Sequence, residues 1–297
     1  MTAVRLLVTG GTGQVGAAVA KLARRDGYDV IAPPRAACDL GDAEVLRVYL
    51  DATYVEAIIN CAAYTAVDKA EAEPEMAHQI NATAPALLAA HAAKHSIPLL
   101  HVSTDYVFDG RKDGAYAETD RPNPQCAYGA SKLAGEIAIA ASGARYGILR
   151  TAWVVSAEGA NFINTMLRLA ETRDSIGVVD DQFGCPTSAD DLAEGLLVVT
   201  ESLLATDQPS GLWHFVNTGR ASWYDLAAYV FAEAQRRGVK KPELHRITTA
   251  DYPTPAKRPA NSELSTLKFQ SDFGYVPRPW QAAVGDVLAA RLGETRQ

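Results

Sequence analysis

The chain has 297 residues, long enough for one large domain or two smaller ones, and 48% of them are apolar, as in soluble globular proteins. The net charge is −7 and no basic cluster occurs, so we expect no nucleic-acid partner. No apolar run reaches about 18 residues and no signal peptide is recognisable, which predicts a cytoplasmic protein without a membrane segment.

The potential metal ligands are sparse. The four cysteines, at positions 38, 61, 126 and 185, lie far apart and form no CxxC pair, which is typical of reduced thiols. His91 and His95 share a predicted helix face, but no third ligand lies near them in the sequence. We therefore predict no metal site.

The first predicted strand, residues 4–8, runs into a glycine-rich turn and then into a helix over residues 17–25. The turn reads TGGTGQVG, with glycines at positions 10, 13 and 16. Glycines allow a tight turn and a close approach of a pyrophosphate, and the start of the helix offers free N–H groups. This arrangement predicts a dinucleotide-binding site.

The second predicted strand, residues 28–32, ends in Pro33, Pro34 and Arg35 rather than in an acidic residue. NAD-preferring sites usually place an acid there for the ribose 2′-hydroxyl. Arg35 could instead bind a 2′-phosphate, or it could be an ordinary solvated arginine. Asp39 and Leu40 follow in a loop that we expect to meet the adenine.

The next two strands are predicted at residues 55–59 and 97–102, separated by a long helix over residues 74–95 that Pro85 should kink or divide. Ser103, Thr104 and Asp105 follow the fourth strand. Ligands bind beyond the carboxyl ends of such strands, so these side chains should enter the crevice, unless they only cap the strand end.

Tyr128 and Lys132 lie four residues apart on a predicted helix that runs to about residue 141, and therefore share one helical face. A phenol has a reference pKa of about 10, and a neighbouring ammonium should lower that pKa enough for Tyr128 to act as a general acid. An ordinary amphipathic helix would give the same spacing. A fifth strand is predicted at residues 146–149.

Beyond Trp153 the predicted strands and helices no longer alternate regularly. Helices are predicted over residues 161–172, 188–204, 222–237 and 280–292, and strands over 176–179 and 212–216. No internal repeat or flexible linker is present, which predicts two closely packed lobes.

Six segments in this order resemble the extended short-chain dehydrogenase/reductases and, within them, the dTDP-4-dehydrorhamnose reductase family: TGGTGQVG, CAAYTAVDKAE, STDYVFDG, YGASK, RTAWV and DQFGCPT. The resemblance implies an α/β fold with a Rossmann-type doubly wound parallel sheet and a smaller C-terminal lobe. Residues 1–150 would form the dinucleotide-binding lobe and residues 151–297 mainly the nucleotide-sugar-binding lobe, with a boundary that can interleave.

The resemblance also implies roles for individual residues. Hydride transfer from NADPH or NADH would reduce the 4-keto group of a dTDP-sugar, with Thr104, Tyr128 and Lys132 as the catalytic residues. The cofactor would contact Gly10, Gly13, Gln14, Val15, Arg35, Asp39, Leu40, Ala63, Tyr64, Thr65, Tyr128 and Lys132. The nucleotide-sugar would contact Val67, Thr104, Asp105, Tyr128 and Trp153.

One departure from the family concerns metal and assembly. Some members bind magnesium at a dimer interface through two carboxylates, and the matching positions are near Ala18 and Ala290. Alanine cannot bind a metal, so we expect no magnesium and a monomer or weak homodimer.

Two other functions fit the sequence: a reductase or epimerase for a different nucleotide-sugar, and a non-catalytic subunit similar to the regulatory subunit of methionine adenosyltransferase.

Overall fold

The computed structural model describes residues 3–205 and 210–293. The strands are β1 Arg5–Thr9, β2 Asp29–Ile31, β3 Ala57–Asn60, β4 Leu99–Thr104, β5 Tyr146–Thr151, β6 Val154–Val155, β7 Ser175–Val179, β8 Phe183–Gly184, β9 Thr187–Ser188, β10 Gly211–His214, β11 Ala221–Ser222 and β12 Glu243–Ile247. The helices are α1 Gln14–Arg25, α2 Ala43–Ala52, α3 Val67–Ala70, α4 Pro74–His78, α5 Ala84–His95, α6 Ala127–Ala140, α7 Phe162–Thr172, α8 Ala189–Leu204, α9 Trp223–Gln235, α10 Leu267–Phe273 and α11 Trp280–Leu292.

Six parallel strands form the central sheet in the order β10–β5–β4–β3–β1–β2. Successive residues of a strand point to opposite faces. Leu6 and Val8 accordingly join the core that includes residues of α1 and α8, whereas Leu7 joins the core that includes residues of α2 and α5. Both faces are covered, which explains the uninterrupted apolar strands. The predicted Rossmann-type doubly wound sheet is confirmed.

The order of the strands places a ligand crevice at a defined point of the sheet. From β1 the chain goes to β2 on one side and then to β3, β4 and β5 on the other. In such sheets ligands bind beyond the carboxyl ends of the strands, where the direction of winding reverses. The ends of β1 and β3 therefore border the expected cofactor site.

The long helix predicted over residues 74–95 is divided, as expected from Pro85. α4 is followed by a π-helical segment, Gln79–Thr83, and then by α5. Proline has no N–H to donate to the carbonyl four residues earlier, and a wide helical turn accommodates the lost hydrogen bond. This segment carries Asn81, whose side chain contacts the candidate site described below.

The two halves of the sequence interleave in space. β10 pairs with β5 at the edge of the central sheet, and α8 packs against α1. Both elements lie beyond residue 150 and yet belong to the first lobe. The second core combines α7, α9 and α11, beside the small pairs β7–β12, β6–β9 and β8–β11. The assignment of residues 151–297 mainly to nucleotide-sugar binding stays a prediction.

Candidate active site

A cavity of about 720 Å³ opens at the carboxyl ends of the central strands. All but one of the residues predicted to bind cofactor or substrate line it. These are Gly10, Gly13, Gln14, Val15, Arg35, Asp39, Leu40, Ala63, Thr65, Val67, Thr104, Asp105, Tyr128, Lys132 and Trp153. Residues from six separate stretches of the sequence therefore meet in one cavity. The roles given to them remain predictions.

Tyr64 is the exception, since it does not line the cavity. Its hydroxyl donates to Glu73 Oε2 over 2.7 Å. Its backbone N–H donates to Asn81 Oδ1, and its carbonyl accepts from Asn81 Nδ2. Asn81 thus fixes the main chain beside Ala63 and Thr65, a role that the sequence analysis missed. The Tyr64 side chain thus stabilises this loop, and the predicted contact of Tyr64 with the cofactor stays a prediction.

The glycine turn forms a backbone cradle at the start of α1. Gly10 has φ +71°, a conformation that favours glycine. A Cβ at Gly16 would lie 2.2 Å from the Gly10 carbonyl oxygen, so a larger residue there would push the turn and the helix apart. Gly13 precedes α1 and no side chain caps the helix, which leaves N–H groups available for an anion. This cradle fits the pyrophosphate of a dinucleotide.

Gln14 connects the cradle to the second half of the chain. Its Oε1 accepts from Ser156 Oγ over 2.8 Å and from Asn161 Nδ2 over 2.9 Å. Asn161 also caps α7 by accepting from the Asn164 N–H. Neither contact was predicted, because 142 and 147 residues separate the partners in the sequence.

Arg35 and Asp39 form an ion pair at the outer end of the cavity. Arg35 Nε lies 3.2 Å from Asp39 Oδ1, and the same oxygen accepts from the Gly41 N–H over 2.8 Å. The Arg35 side chain is 72% exposed, so its guanidinium can reorient at little cost. The position of Arg35 is compatible with two roles, binding of a ribose 2′-phosphate or that of an ordinary solvated arginine.

Two glycines bring α6 close enough to place Tyr128 and Lys132. A Cβ at Gly129 would lie 2.1 Å from the Tyr106 carbonyl oxygen, and a Cβ at Gly135 would lie 2.1 Å from that of Asn81. Any larger residue would therefore move the helix away from the cavity. Asn81 Nδ2 also donates to Ser131 Oγ over 3.0 Å, which fixes the same face of the helix.

Thr104, Asp105 and Tyr128 are all buried at the cavity. Thr104 Oγ1 donates to Asp105 Oδ1 over 2.9 Å, whereas Asp105 Oδ2 has no hydrogen-bond partner among the described residues. Burial raises the pKa of Asp105 to about 6, although the hydroxyls of Ser262 and Thr104 act in the opposite direction. Asp105 therefore lines the cavity with one carboxyl oxygen bonded to Thr104 and the other buried without a partner among the described residues.

Tyr128 does not have the lowered pKa that its spacing from Lys132 predicted. Burial raises the pKa of Tyr128 above its ordinary value, and a hydrogen bond with Thr104 offsets only part of this effect. Lys132 is not among the groups that act on the Tyr128 pKa. Its Nζ donates instead to the Val102 carbonyl over 2.7 Å and lies 3.0 Å from His101 Nε2. The lysine is thus engaged with β4.

Ser103 lines the cavity and also anchors the end of β4 from within the protein. Its hydroxyl donates to Glu136 Oε1, and Glu136 also accepts two hydrogen bonds from Arg150, over 2.9 and 2.6 Å. All three side chains are buried. This network ties the end of β4 to α6 and β5, because breaking a buried ion pair would leave an uncompensated charge.

Trp153 is clamped at the opposite wall of the cavity. Its backbone has φ +50°, which is uncommon for a residue with a side chain. The indole stacks on Trp223 with ring centroids 3.5 Å apart, and a Cβ at Gly184 would lie 2.6 Å from it. Surrounding packing therefore holds Trp153 in a strained conformation, a pattern that often accompanies functional sites.

Within residues 3–205 and 210–293, no three His, Cys, Asp or Glu side chains cluster in a way that could hold a metal ion. No helix among these residues has the length and apolarity required to cross a bilayer.

A tyrosine and a lysine on one helix, beside a glycine-rich dinucleotide cleft in a doubly wound sheet, define an extended short-chain dehydrogenase/reductase. Comparison with known proteins narrows this class. The family model described as "RmlD substrate binding domain" matches residues 4–292. A dTDP-4-dehydrorhamnose reductase of Aggregatibacter actinomycetemcomitans is 44% identical over 289 residues, 96% of this chain and 98% of that protein.

Solved structures agree with this result. A crystal structure of a dTDP-4-dehydrorhamnose reductase from Clostridium acetobutylicum has a TM-score of 0.89 and 36% identity, covering 96% of this chain and 98% of its own. The Bacillus anthracis dTDP-4-dehydrorhamnose reductase in complex with NADP has a TM-score of 0.88 and 32% identity, with the same coverage. The chain belongs to the dTDP-4-dehydrorhamnose reductase family and is an oxidoreductase.

Proposed function

We propose that this protein reduces the 4-keto group of dTDP-4-dehydro-L-rhamnose to the hydroxyl of dTDP-L-rhamnose, with NADPH or NADH as the reductant. The convergence of Thr104, Asp105, Tyr128 and Lys132 on the cavity that also contains the glycine cradle supports this proposal best. A keto-sugar seated between them would meet a proton donor beside the cofactor cleft. The names of the relatives agree with this substrate.

The chain's own residues can provide binding, orientation and proton transfer. The cradle of Gly10 and Gly13 would hold the cofactor pyrophosphate. When bound, the reduced nicotinamide supplies a hydride to the carbonyl carbon. Tyr128 would donate its phenolic proton to the developing alkoxide, which is a much stronger base than a phenolate. Thr104 would hydrogen-bond the same oxygen and so favour the negative charge that develops on it.

The raised pKa of Tyr128 is compatible with this direction of reaction. A reduction needs the phenol in its protonated form before each turnover, and burial favours that uncharged form. Lys132 does not hydrogen-bond Tyr128 directly, and it would return a proton to Tyr128 through an intervening hydroxyl group or water, because burial lowers the pKa of this lysine to about 8. Lys132 can then exchange protons with solvent near neutral pH.

The other properties expected from the sequence are part of the proposal. We propose a cytoplasmic enzyme that acts as a monomer or weak homodimer and binds no nucleic acid. We expect the reaction to need no metal, since the side chains of Ala18 and Ala290 offer no oxygen ligand.

Turnover with a defined substrate tests the proposal. Purified protein is incubated with dTDP-4-dehydro-L-rhamnose and NADPH, cofactor oxidation is followed by absorbance, and the product is identified by NMR. Tyr128→Phe should lower kcat by at least about 10², the lower range for loss of a general acid, while the retained ring preserves packing. Tyr54→Phe is the matched control, because Tyr54 is 71% exposed and outside the cavity.

The alternatives give different results in the same assay. A reductase for another nucleotide-sugar would turn over that sugar and not the rhamnose precursor. An epimerase would interconvert sugars without net oxidation of the cofactor. A regulatory subunit would bind the cofactor and show no turnover with any nucleotide-sugar. A Tyr128→Phe variant with turnover near that of the wild type would place the proton donor elsewhere, with Asp105 the next candidate.

A further inference from the structure

A chain of buried polar side chains runs from the first strand of the sheet to Lys132. Thr9 Oγ1 donates to Asn60 Oδ1 over 2.6 Å, Asn60 Nδ2 lies 2.9 Å from His101 Nδ1, and His101 Nε2 lies 3.0 Å from Lys132 Nζ. All four side chains are almost completely buried. No sequence motif indicated a role for His101, and this histidine has no part in the mechanism proposed above.

The backbone fixes the direction of every hydrogen bond in this chain. The N–H of Ala62 donates to the same Asn60 Oδ1 over 3.2 Å, and a backbone amide can only donate. The other end of the Asn60 amide is therefore the nitrogen, which can only donate to His101. His101 Nδ1 must accept, so the proton of the neutral imidazole is on Nε2.

The Nε2–H group of His101 then points at Lys132, and this determines which form of the lysine it favours. An ammonium has donors only, so a charged Lys132 would place two donors against each other over 3.0 Å. An uncharged amine can accept from His101 while still donating to the Val102 carbonyl. The hydrogen-bond pattern is complete only with the amine.

We propose that His101, oriented by Asn60, is a positioning residue that presents an N–H to Lys132 and favours the uncharged amine of this lysine. Lys132 can then take up and release a proton near neutral pH. In each turnover the Tyr128 phenol loses one proton to the product alkoxide, the phenolate regains one that the Lys132 ammonium releases through an intervening hydroxyl group or water, and the resulting amine takes one from solvent. The net result is that each reduction consumes one proton from solvent. This inference rests on the proposed function.

The other groups that face Lys132 do not produce this preference. Tyr128 and Glu136 lie on its own helix, and Cys61 faces it from the end of β3. Glu136 and Cys61 act to raise the pKa of Lys132, against the effect of burial. Glu136 is already paired with Arg150. His101 is the partner whose hydrogen bond favours the amine, and burial holds the pKa of this histidine well below its ordinary value.

Nitrogen NMR of the histidine side chains tests the tautomer without any substrate. We expect His101 in the wild-type protein to carry its proton on Nε2 and to leave Nδ1 unprotonated between about pH 6 and 8. Asn60→Asp supplies the opposite reference, since a carboxylate can only accept and should put a proton on Nδ1. A wild-type His101 protonated on Nδ1 would overturn the inference, whether or not the protein reduces the predicted sugar.

The pH profile of kcat/KM tests the consequence for Lys132. His101→Gln replaces the N–H with an amide that can turn its oxygen to an ammonium. A hydrogen bond to a charged group changes a protonation equilibrium roughly tenfold or more, so the midpoint of the basic limb should rise by about one pH unit or more. The matched control is His214→Gln, because His214 is equally buried but bonds to the Tyr116 carbonyl. A His101→Gln profile superimposable on the wild type would refute the proposed role.

Discussion

Asp105 is expected to destabilise the folded protein at neutral pH, and replacing it with asparagine should reveal by how much. The carboxyl is 4% exposed, and its Oδ2 lacks a hydrogen-bond partner within residues 3–205 and 210–293. Burial raises its pKa from the ordinary value of 3.8 to about 6. Between these values the folded protein binds more protons than the unfolded chain, so stability falls as the pH rises through that window.

The magnitude follows from the two pKa values. The ionisation of Asp105 reduces the free energy of unfolding by ~1 kcal/mol at pH 4.5 and by ~3 kcal/mol at pH 7.5. Asparagine has nearly the same shape and does not titrate. The difference in stability between Asp105→Asn and the wild type should therefore shift by ~2 kcal/mol in favour of the variant between these pH values. A constant penalty for the buried amide would leave this change intact.

Urea unfolding of both proteins at pH 4.5 and 7.5 measures the effect through the midpoint and slope of each transition. Asp113→Asn serves as the control, because Asp113 is exposed and lies outside the cavity. The reasoning fails if the difference between Asp105→Asn and the wild type is the same at both pH values. The variant should also bind the nucleotide-sugar more weakly, since it loses a charged hydrogen-bond acceptor at the cavity.

Three further predictions concern the cofactor, the metal and the catalytic groups. Arg35→Ala should lower kcat/KM for NADPH roughly tenfold or more and leave NADH unaffected; unchanged NADPH kinetics would make Arg35 a surface residue. Activity should survive a chelator, and light scattering should show no metal-dependent dimer; loss of activity that magnesium restores would contradict this. Lys132→Met should lower kcat more than Thr104→Val, which removes one hydrogen bond worth about tenfold or less, and the effects of Lys132→Met, Thr104→Val and Tyr128→Phe should not add.

Much of the first lobe could be predicted because its signals are local. The apolar runs, the glycines of the turn and Pro85 each act within a few residues of their own position. The observed elements lie within about three residues of the predicted bounds. Asp42 and Asn161 likewise act locally, because their side chains cap α2 and α7.

The elements that the sequence did not reveal depend on distant partners. β12 is largely polar and exposed, and it becomes a strand because it pairs in parallel with β7, over 60 residues earlier in the chain. β10 was recognised as a strand, but its place beside β5 follows from a long crossover that passes through α7 and α8. Strand pairing across such distances leaves no mark on local hydrophobic periodicity.

In the candidate site, too, the local features could be predicted and the contacts between distant residues could not. Spacing alone placed Tyr128 and Lys132 on one helical face, but it could not show that His101 and the Val102 carbonyl engage the lysine. The predicted lowering of the Tyr128 pKa by Lys132 is therefore absent from the structure. The hydrogen bond from the Tyr64 hydroxyl to Glu73 was likewise not predicted.

The three titratable groups at the reacting end of the cavity respond to burial in a common direction. Burial raises the pKa values of Tyr128 and Asp105 and lowers that of Lys132, so each group shifts toward its uncharged form. An uncharged phenol is the form that can donate a proton, which suits reduction rather than oxidation. The charge that such a site must stabilise is the one that develops on the substrate oxygen, where the Thr104 hydroxyl can reach it. The proposed contact from His101 extends the same preference to the lysine that reloads the phenol.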